Sequence, residues 1–552
     1  MLSLVFVAAT LTTLARTPWV TVVNLDSAIF TLLGQALAGG KGYVLLSEPA
    51  PQPYFTFPPL LPLQIALIAK ILAWMGLDSP EALQVAVKNW IHLLFYASIP
   101  LFYGWARQRF NFWPAVAFTT LLALNPLMYR YGGADILSDV PYWALSMASV
   151  AAMDRWQACG KRRWFAASLL MAACGVWTRQ IGVALAAAIW LSLSAQRRWR
   201  ALIVAMLTLG AACALWPAIE HLYRQAYPLA ESTLNQAGVR ETLAKSPVKL
   251  EFIKHFAVQN PVSQDRAAVA QDAGQYITLA ASRLNAYGQR MAGLFVPPPL
   301  DAWAGPLIWL LIAIGYWRSR RKLGVLAYYL PIYGLILTVY PYTTPRFLLP
   351  VAPFLPALAY SAISDGLELL RSRFSKPDDG QWRFQRIALA CLLALTLFGG
   401  HLPQTIRWVR AGMKINAAHA GPSVRTENRA YYEALRWIAA NTSPQTLIVS
   451  RKPPVTYYYS GRHSTAFPFT ARPERFARYL DDLAARSKPA FSAVYLLEDA
   501  AFGETAKSVG PLRRSYGHRL QLRHAFASGD RLWEWLSDAN SAQNALPVRP
   551  RV

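Results

Sequence analysis

Apolar runs close to the roughly 20 residues that cross a bilayer recur along this 552-residue chain from Met1 to about residue 404. Examples are "LIVAMLTLGAACALWPAI" (202–219) and "ALACLLALTLFGG" (388–400). With 54% hydrophobic and 15% charged residues, the composition excludes an ordinary water-soluble enzyme. A polytopic α-helical membrane domain is expected over 1–404, with a small soluble α/β domain over 405–552. In that second part "ENRAYYEALRWIAANTSPQTLIVS" and "ARYLDDLAARSKPAFSAVYLLED" each read as an amphipathic helix followed by a strand. "VTYYYSGR" (455–462) reads as a tyrosine-rich strand, more often packing than a saccharide surface.

Charge sets the expected orientation. Lys plus Arg number 55 against 29 acids, a net charge of +26 that by itself would also fit a nucleic-acid partner. The excess instead gathers in short loops between apolar runs, at 107–110, 155–164, 196–200, 318–322 and 371–386. Placing these five loops in the cytoplasm gives about 11 crossings, with the N-terminus inside and the C-terminal domain outside. The first run lacks a basic n-region and a cleavage pattern, so it is expected as an uncleaved span. One stretch, 58–76, would invert every later basic loop if it crossed. It is read as an interfacial or re-entrant helix. The four cysteines, at 159, 174, 213 and 391, imply neither a disulfide framework nor a metal site.

Function is then sought on the outer face, in residues 24–83, the turn near 131–139, the segment 221–301 and the C-terminal domain. Asp26 in "NLDSAIF" stands where the first span should meet water, and Asp139 in "SDVPYW" opens a helix at another outer turn. Either acid can be a helix-start residue. Acids near membrane depth also mark candidate sites. Arg179 in "VWTRQIG" and Arg346 in "YPYTTPRFLLP" oppose the positive-inside trend. They either snorkel to headgroups or hold an anion, since guanidinium matches phosphate geometry.

The order of these motifs resembles the GT-C glycosyltransferases. It runs from "NLDSAIFTLLGQALAGGKGY" through "PYFTFPPLLPL", "SDVPY" and "TRQIG" to "PRFLLPVAPFLP". The nearest branch is the bacterial relatives of protein O-mannosyltransferases and lipid A aminoarabinose transferases. The resemblance implies a sugar donor on polyprenyl phosphate, and a lipid, glycan or protein acceptor at the outer face of a bacterial inner membrane. It makes Asp26 the catalytic carboxylate and Asp139 a second acid. Arg179 and Arg346 become lipid-phosphate ligands, with Arg130 and Lys41 as further donor-binding candidates. No cofactor is required, although a divalent metal between Asp26 and Asp139 is an alternative role for the acids.

The residue types fit that chemistry independently. Sugar transfer from a lipid phosphate needs a base near the nucleophile and a cation at the departing phosphate. Direct attack on one face of the sugar would invert the anomeric centre. No nucleotide-binding glycine motif is present, and none is needed. Ser27 and Phe30 depart from the family pattern, as does "FTF" in place of a basic residue before the PPL segment. A multi-span transporter and a non-catalytic relative in envelope assembly are the rival readings.

Overall fold

The computed structural model describes residues 2–16, 25–49, 52–133, 135–226, 273–296, 301–340, 343–374, 387, 389–417, 426–468, 472–487, 490–500 and 503–536. Helices dominate the first three-quarters of the chain. They are α1 (Leu2–Ala15), α2 (Leu25–Ala38), α3 (Leu60–Trp74), α4 (Pro80–Arg109), α5 (Phe112–Ala123), α6 (Pro126–Met128) and α7 (Asp139–Cys159). After these come α8 (Arg162–Thr178), α9 (Val183–Ala195), α10 (Trp199–Ala226), α11 (Ala273–Phe295), α12 (Asp301–Ser319), α13 (Leu326–Val339), α14 (Leu355–Phe374) and α15 (Leu402–Ala417). A short hairpin, β1 (Val44–Leu45) with β2 (Gln52–Pro53), follows α2.

Every segment expected to span contains a helix. Among the described residues, four stretches are long and apolar enough to cross a bilayer: Pro80–Arg109, Phe112–Gly132, Trp199–Leu222 and Leu389–Lys414. The helix at 58–76 narrows to the 15 residues of α3. At about 1.5 Å per residue it reaches ~22 Å, short of a ~30 Å hydrocarbon core. The expected span at 347–365 begins later, at Leu355, because Pro345, Pro350 and Pro353 break its start into two 3-10 turns. Of the segment 221–301, expected on the outer face, residues 227–272 and the proline run at 297–299 lie outside the described residues.

Helix contacts inside a bilayer gain little from apolar burial, since lipid is equally apolar, so packing and hydrogen bonds must hold them. Ser149 of α7 and Ser168 of α8 each donate to the other's carbonyl at 2.9 Å. Phe102, Trp105, Trp143 and Phe354 form an aromatic knot with ring centroids 5.0 to 6.0 Å apart. Such ring pairs add roughly 0.5–1.5 kcal/mol each beyond burial.

The apolar helix at the end of this bundle runs on past 404 to Lys414. The α/β layer begins with α16 (Thr426–Asn441) and continues through β3 (Thr446–Ser450), α17 (Pro453–Ser460), β4 (Ser464–Ala466) and α18 (Pro473–Ser487). It closes with β5 (Ala493–Glu498), α19 (Gly503–Tyr516), β6 (Leu520–Ala525) and β7 (Arg531–Trp535). The strand order is β4-β3-β5-β7-β6, parallel among the first three and antiparallel beyond. Helix-then-strand reading of 427–450 and 477–499 matches this layer. "VTYYYSGR" does not form the strand expected of it. Pro453 and Pro454 start α17, and Gly461 ends it at φ 66°, so its tyrosines sit on a helix.

The layer sits on the chain that follows α2. Ser464 N–H donates to Ser47 O at 2.7 Å, and His463 Nδ1 lies 3.0 Å from Glu48 O. Ala28 of α2 packs with Tyr431, Leu435 and Val455, while Tyr457 and Tyr458 cover Leu32 and Leu33. The α/β layer thereby touches the helix that begins with Asp26.

Candidate active site

Asp26 lies in the first turn of α2, where a carboxylate is favoured by the exposed N–H groups and dipole of the helix. Its Oδ2 is 2.6 Å from Arg346 Nη2, carried on the 3-10 turn Pro345–Leu348. Asp139 opens α7, with Pro141 in that helix's first turn, and its carboxylate accepts from Arg179 Nη1 at the end of α8. Both acids therefore begin helices, and each is also tied to an arginine from a distant turn.

The two pairs form one cluster. Phe347 stands between the arginines, its ring centroid 5.3 Å from Arg179 Cζ and 5.1 Å from Arg346 Cζ. Arg179 also feels the charges of Arg346 and Asp26, with Tyr333 and Tyr340 around it. Tyr333 donates to Phe347 O at 2.8 Å, and the Tyr340 ring meets Phe347 edge-on at 4.9 Å, which fixes the turn bearing Arg346. Asp139 is almost fully buried, at 2% side-chain exposure, while Asp26 keeps 21%. Asp26 is the acid that a ligand can reach.

Arg346 has donor capacity left over. Its Nε is buried and has no hydrogen-bond partner among the described residues, although its Nη2 serves Asp26. A buried guanidinium N–H without an acceptor is costly unless an acceptor arrives. Beside the same turn lies a cavity of about 120 Å³, bounded by Pro345, Leu348, Arg130, Arg290, Gln404 and Trp408. Arg130 stacks on Trp408 at 4.8 Å and on Tyr131 at 5.0 Å, so its guanidinium is held in place rather than free in solvent.

Four of the six expected residues, Asp26, Asp139, Arg179 and Arg346, are thus brought together, and Arg130 lines the adjoining cavity. Lys41 is not brought there. It is exposed beyond the C-terminal end of α2, and the 14 residues of that helix separate it from Asp26 by roughly 20 Å. Arg290, on α11, was not singled out from the sequence. Its signal was present: it lies seven residues from Arg283, hence on the same helical face, and Arg283 donates to Thr338 O at 2.9 Å.

The positions that depart from the family pattern have structural partners. Ser27 Oγ accepts from Ile136 N–H at 3.1 Å, tying α2 to the turn before Asp139. Phe30 stacks on Phe57 of "FTF" at 4.5 Å, so two departures pack against each other. The donor set is poor for a divalent metal. Asp26 and Asp139 each already neutralise an arginine, and among the described residues no group of three His, Cys, Asp or Glu side chains could hold an ion.

The fold is similar to that of solved GT-C glycosyltransferases, and in this chain the charged cluster sits at helix starts and turns of the bundle. The aminoarabinose transferase ArnT of Cupriavidus metallidurans, solved bound to undecaprenyl phosphate, aligns over 97% of this chain and 98% of its own. The TM-score is 0.56 and the identity 12%. ArnT in the apo state aligns with a TM-score of 0.53, 13% identity and 97% coverage of both chains. The oligosaccharyltransferase AglB of Archaeoglobus fulgidus, solved with an inhibitory peptide and a dolichol-phosphate, gives a TM-score of 0.53 at 13% identity. It covers 99% of this chain and 75% of its own. No protein-family model and no curated protein matches this sequence.

Proposed function

We propose that this chain is an integral-membrane glycosyltransferase that moves a sugar from a polyprenyl-phosphate donor to a hydroxyl or amine acceptor, with inversion. The observation that carries the reading is Arg346, which binds Asp26 with one nitrogen and holds a buried Nε–H without a partner among the described residues, on a turn whose Pro345 and Leu348 line a cavity shared with Arg130 and Arg290. A phosphate in that cavity meets the guanidinium groups of Arg130 and Arg290, which match its oxygens, next to the turn that carries Arg346.

Asp26 takes the proton from the acceptor hydroxyl or amine as the new bond to the anomeric carbon forms. The bond from that carbon to the phosphate oxygen breaks, and the electron pair leaves with the phosphate. Its growing charge is met by Arg346, Arg130 and Arg290. Asp139 holds Arg179, which in turn faces Asp26 and Arg346. The fold supports the donor class, since ArnT was solved with undecaprenyl phosphate and AglB with a dolichol-phosphate. The five basic loops support a site on the extracytoplasmic face of a bacterial inner membrane.

Sugar release from radiolabelled polyprenyl-phosphate sugars, measured with the purified protein in proteoliposomes, tests the reading. Asp26→Asn should keep the fold and lower the rate on the order of 10³-fold. Full transfer by Asp26→Asn would remove Asp26 from the chemistry.

A further inference from the structure

Arg130 and Arg290 share the small cavity beside the Arg346 turn, and among the described residues neither has a hydrogen bond or an ion pair. Like charges around one cavity repel, so something other than a carboxylate keeps them there. For Arg130 it is two rings. Its guanidinium carbon lies 4.8 Å from the Trp408 ring centroid and 5.0 Å from that of Tyr131, the range in which a ring face attracts a cation. Tyr131 is the next residue along the same turn, so it moves with Arg130. Trp408 does not, because it stands on α15, and it lines the cavity as well.

Two neighbouring residues fasten α15 to the segments that carry these arginines. Gln404 Nε2 donates to Gly293 O, three residues from Arg290 on α11. Thr405 is fully buried, and its Oγ1 donates to Leu124 O at 2.7 Å, in the turn that leads through Pro126 to Arg130. Just before α15 the backbones themselves meet, since a Cβ at Gly400 would run into Leu294 O of α11. The π-helical turn Leu395–His401 at that point also decides which side chains face the cavity. One extra residue in a turn rotates everything after it by about 100°.

We propose that Trp408 is a positioning residue of this site: its ring holds the Arg130 guanidinium at the cavity that Arg290 also lines, and α15, fixed through Gln404 and Thr405, sets the spacing of the two cations for one phosphate. Phosphate as the ligand rests on the function proposed above. The hold on Arg130 does not.

The test uses full-length protein in nanodiscs, with Trp408→Leu made in wild type, in Arg130→Ala and in Arg290→Ala. With a polyprenyl-phosphate sugar, Trp408→Leu alone should lower kcat/KM on the order of tenfold, and Trp408→Phe, which keeps a ring face, should recover all but about threefold. In Arg130→Ala the same substitution should change kcat/KM less than about twofold, whereas in Arg290→Ala it should still cost about tenfold. A tryptophan that only packs would cost the same in every background. That result, or a Trp408→Leu enzyme within about twofold of wild type, overturns the inference. Trp408→Met replaces Trp408→Leu if the latter lowers Tm by more than about 3 °C, and collapse of both would make Trp408 a packing residue and overturn the inference too. If wild type transfers sugar from no such donor, the transfer reading falls, and binding of polyprenyl phosphate by the same variants, with the same pattern expected in Kd, decides the hold on Arg130. No binding by wild type overturns both.

Discussion

Two Asp–Arg pairs at opposite ends of the bundle differ in what their arginines have left to give. Near the C-terminal end of α7, Arg109 Nη2 binds Asp154 at 2.8 Å, its Nε donates to Lys322 O at 3.0 Å and its Nη1 to Trp105 O at 3.3 Å. All three nitrogens are engaged, so the pair staples α4 and α7 to the loop after α12. At the other end, Arg346 binds Asp26 with one nitrogen and keeps Nε buried without a partner among the described residues. The same chemistry serves as a staple where donors are spent and as a candidate site where one is held back.

That comparison breaks most sharply by removing each arginine. Arg346→Ala should lower kcat on the order of 10²–10³-fold, as losing a charge-stabilising donor does. Arg109→Met should instead cost about 3–5 kcal/mol of stability, because Asp154 is left buried and unpaired, with kcat per folded molecule within about threefold of wild type. Thermal melts and single-turnover transfer on both variants read this, and equal losses of kcat would erase the distinction. A smaller effect sharpens the site itself. Arg290 is exposed at the cavity, so Arg290→Ala should raise donor KM about tenfold while leaving Tm unchanged. An unchanged KM would take α11 out of donor binding.

The smallest effect concerns the seam between the α/β layer and the chain that follows α2. Burial pushes the Glu48 carboxyl up from 4.5 to about 7, against a hydrogen bond from Thr465 that lowers it. An acid whose pKa is raised by docking is neutral on both sides of the equilibrium below about 4.5. Docking therefore weakens as pH rises from there to about 7 and changes no further above it. Melting of the α/β layer should come about 3 °C lower at pH 8 than at pH 5. The difference should shrink in Glu48→Gln, and a variant that keeps it would take the pH dependence away from Glu48.

Much of the bundle was legible because apolar runs and prolines act locally. Runs near 20 residues mark helices, and "SDVPY" and "PRFLL" mark the turns between them. Local reading failed where two periods compete. "VTYYYS" carries β-favouring residues, yet two prolines and a glycine start and stop a helix there. Lys41 stood out as a lone cation near Asp26 in sequence, but a helix of 14 residues carries it to the far end of α2.

The sequence by itself singled out Asp26, Asp139, Arg179 and Arg346, because a charge in an apolar chain is conspicuous and expensive. Tertiary structure alone decided that Arg346 pairs with Asp26 from 320 positions away, that Arg179 pairs with Asp139, and that Arg290 lines the cavity beside them. Pairing depends on which helix ends are packed together, and no local period encodes that. Arg290 is hidden in an amphipathic helix, where one more cation looks like many others until its neighbours are known.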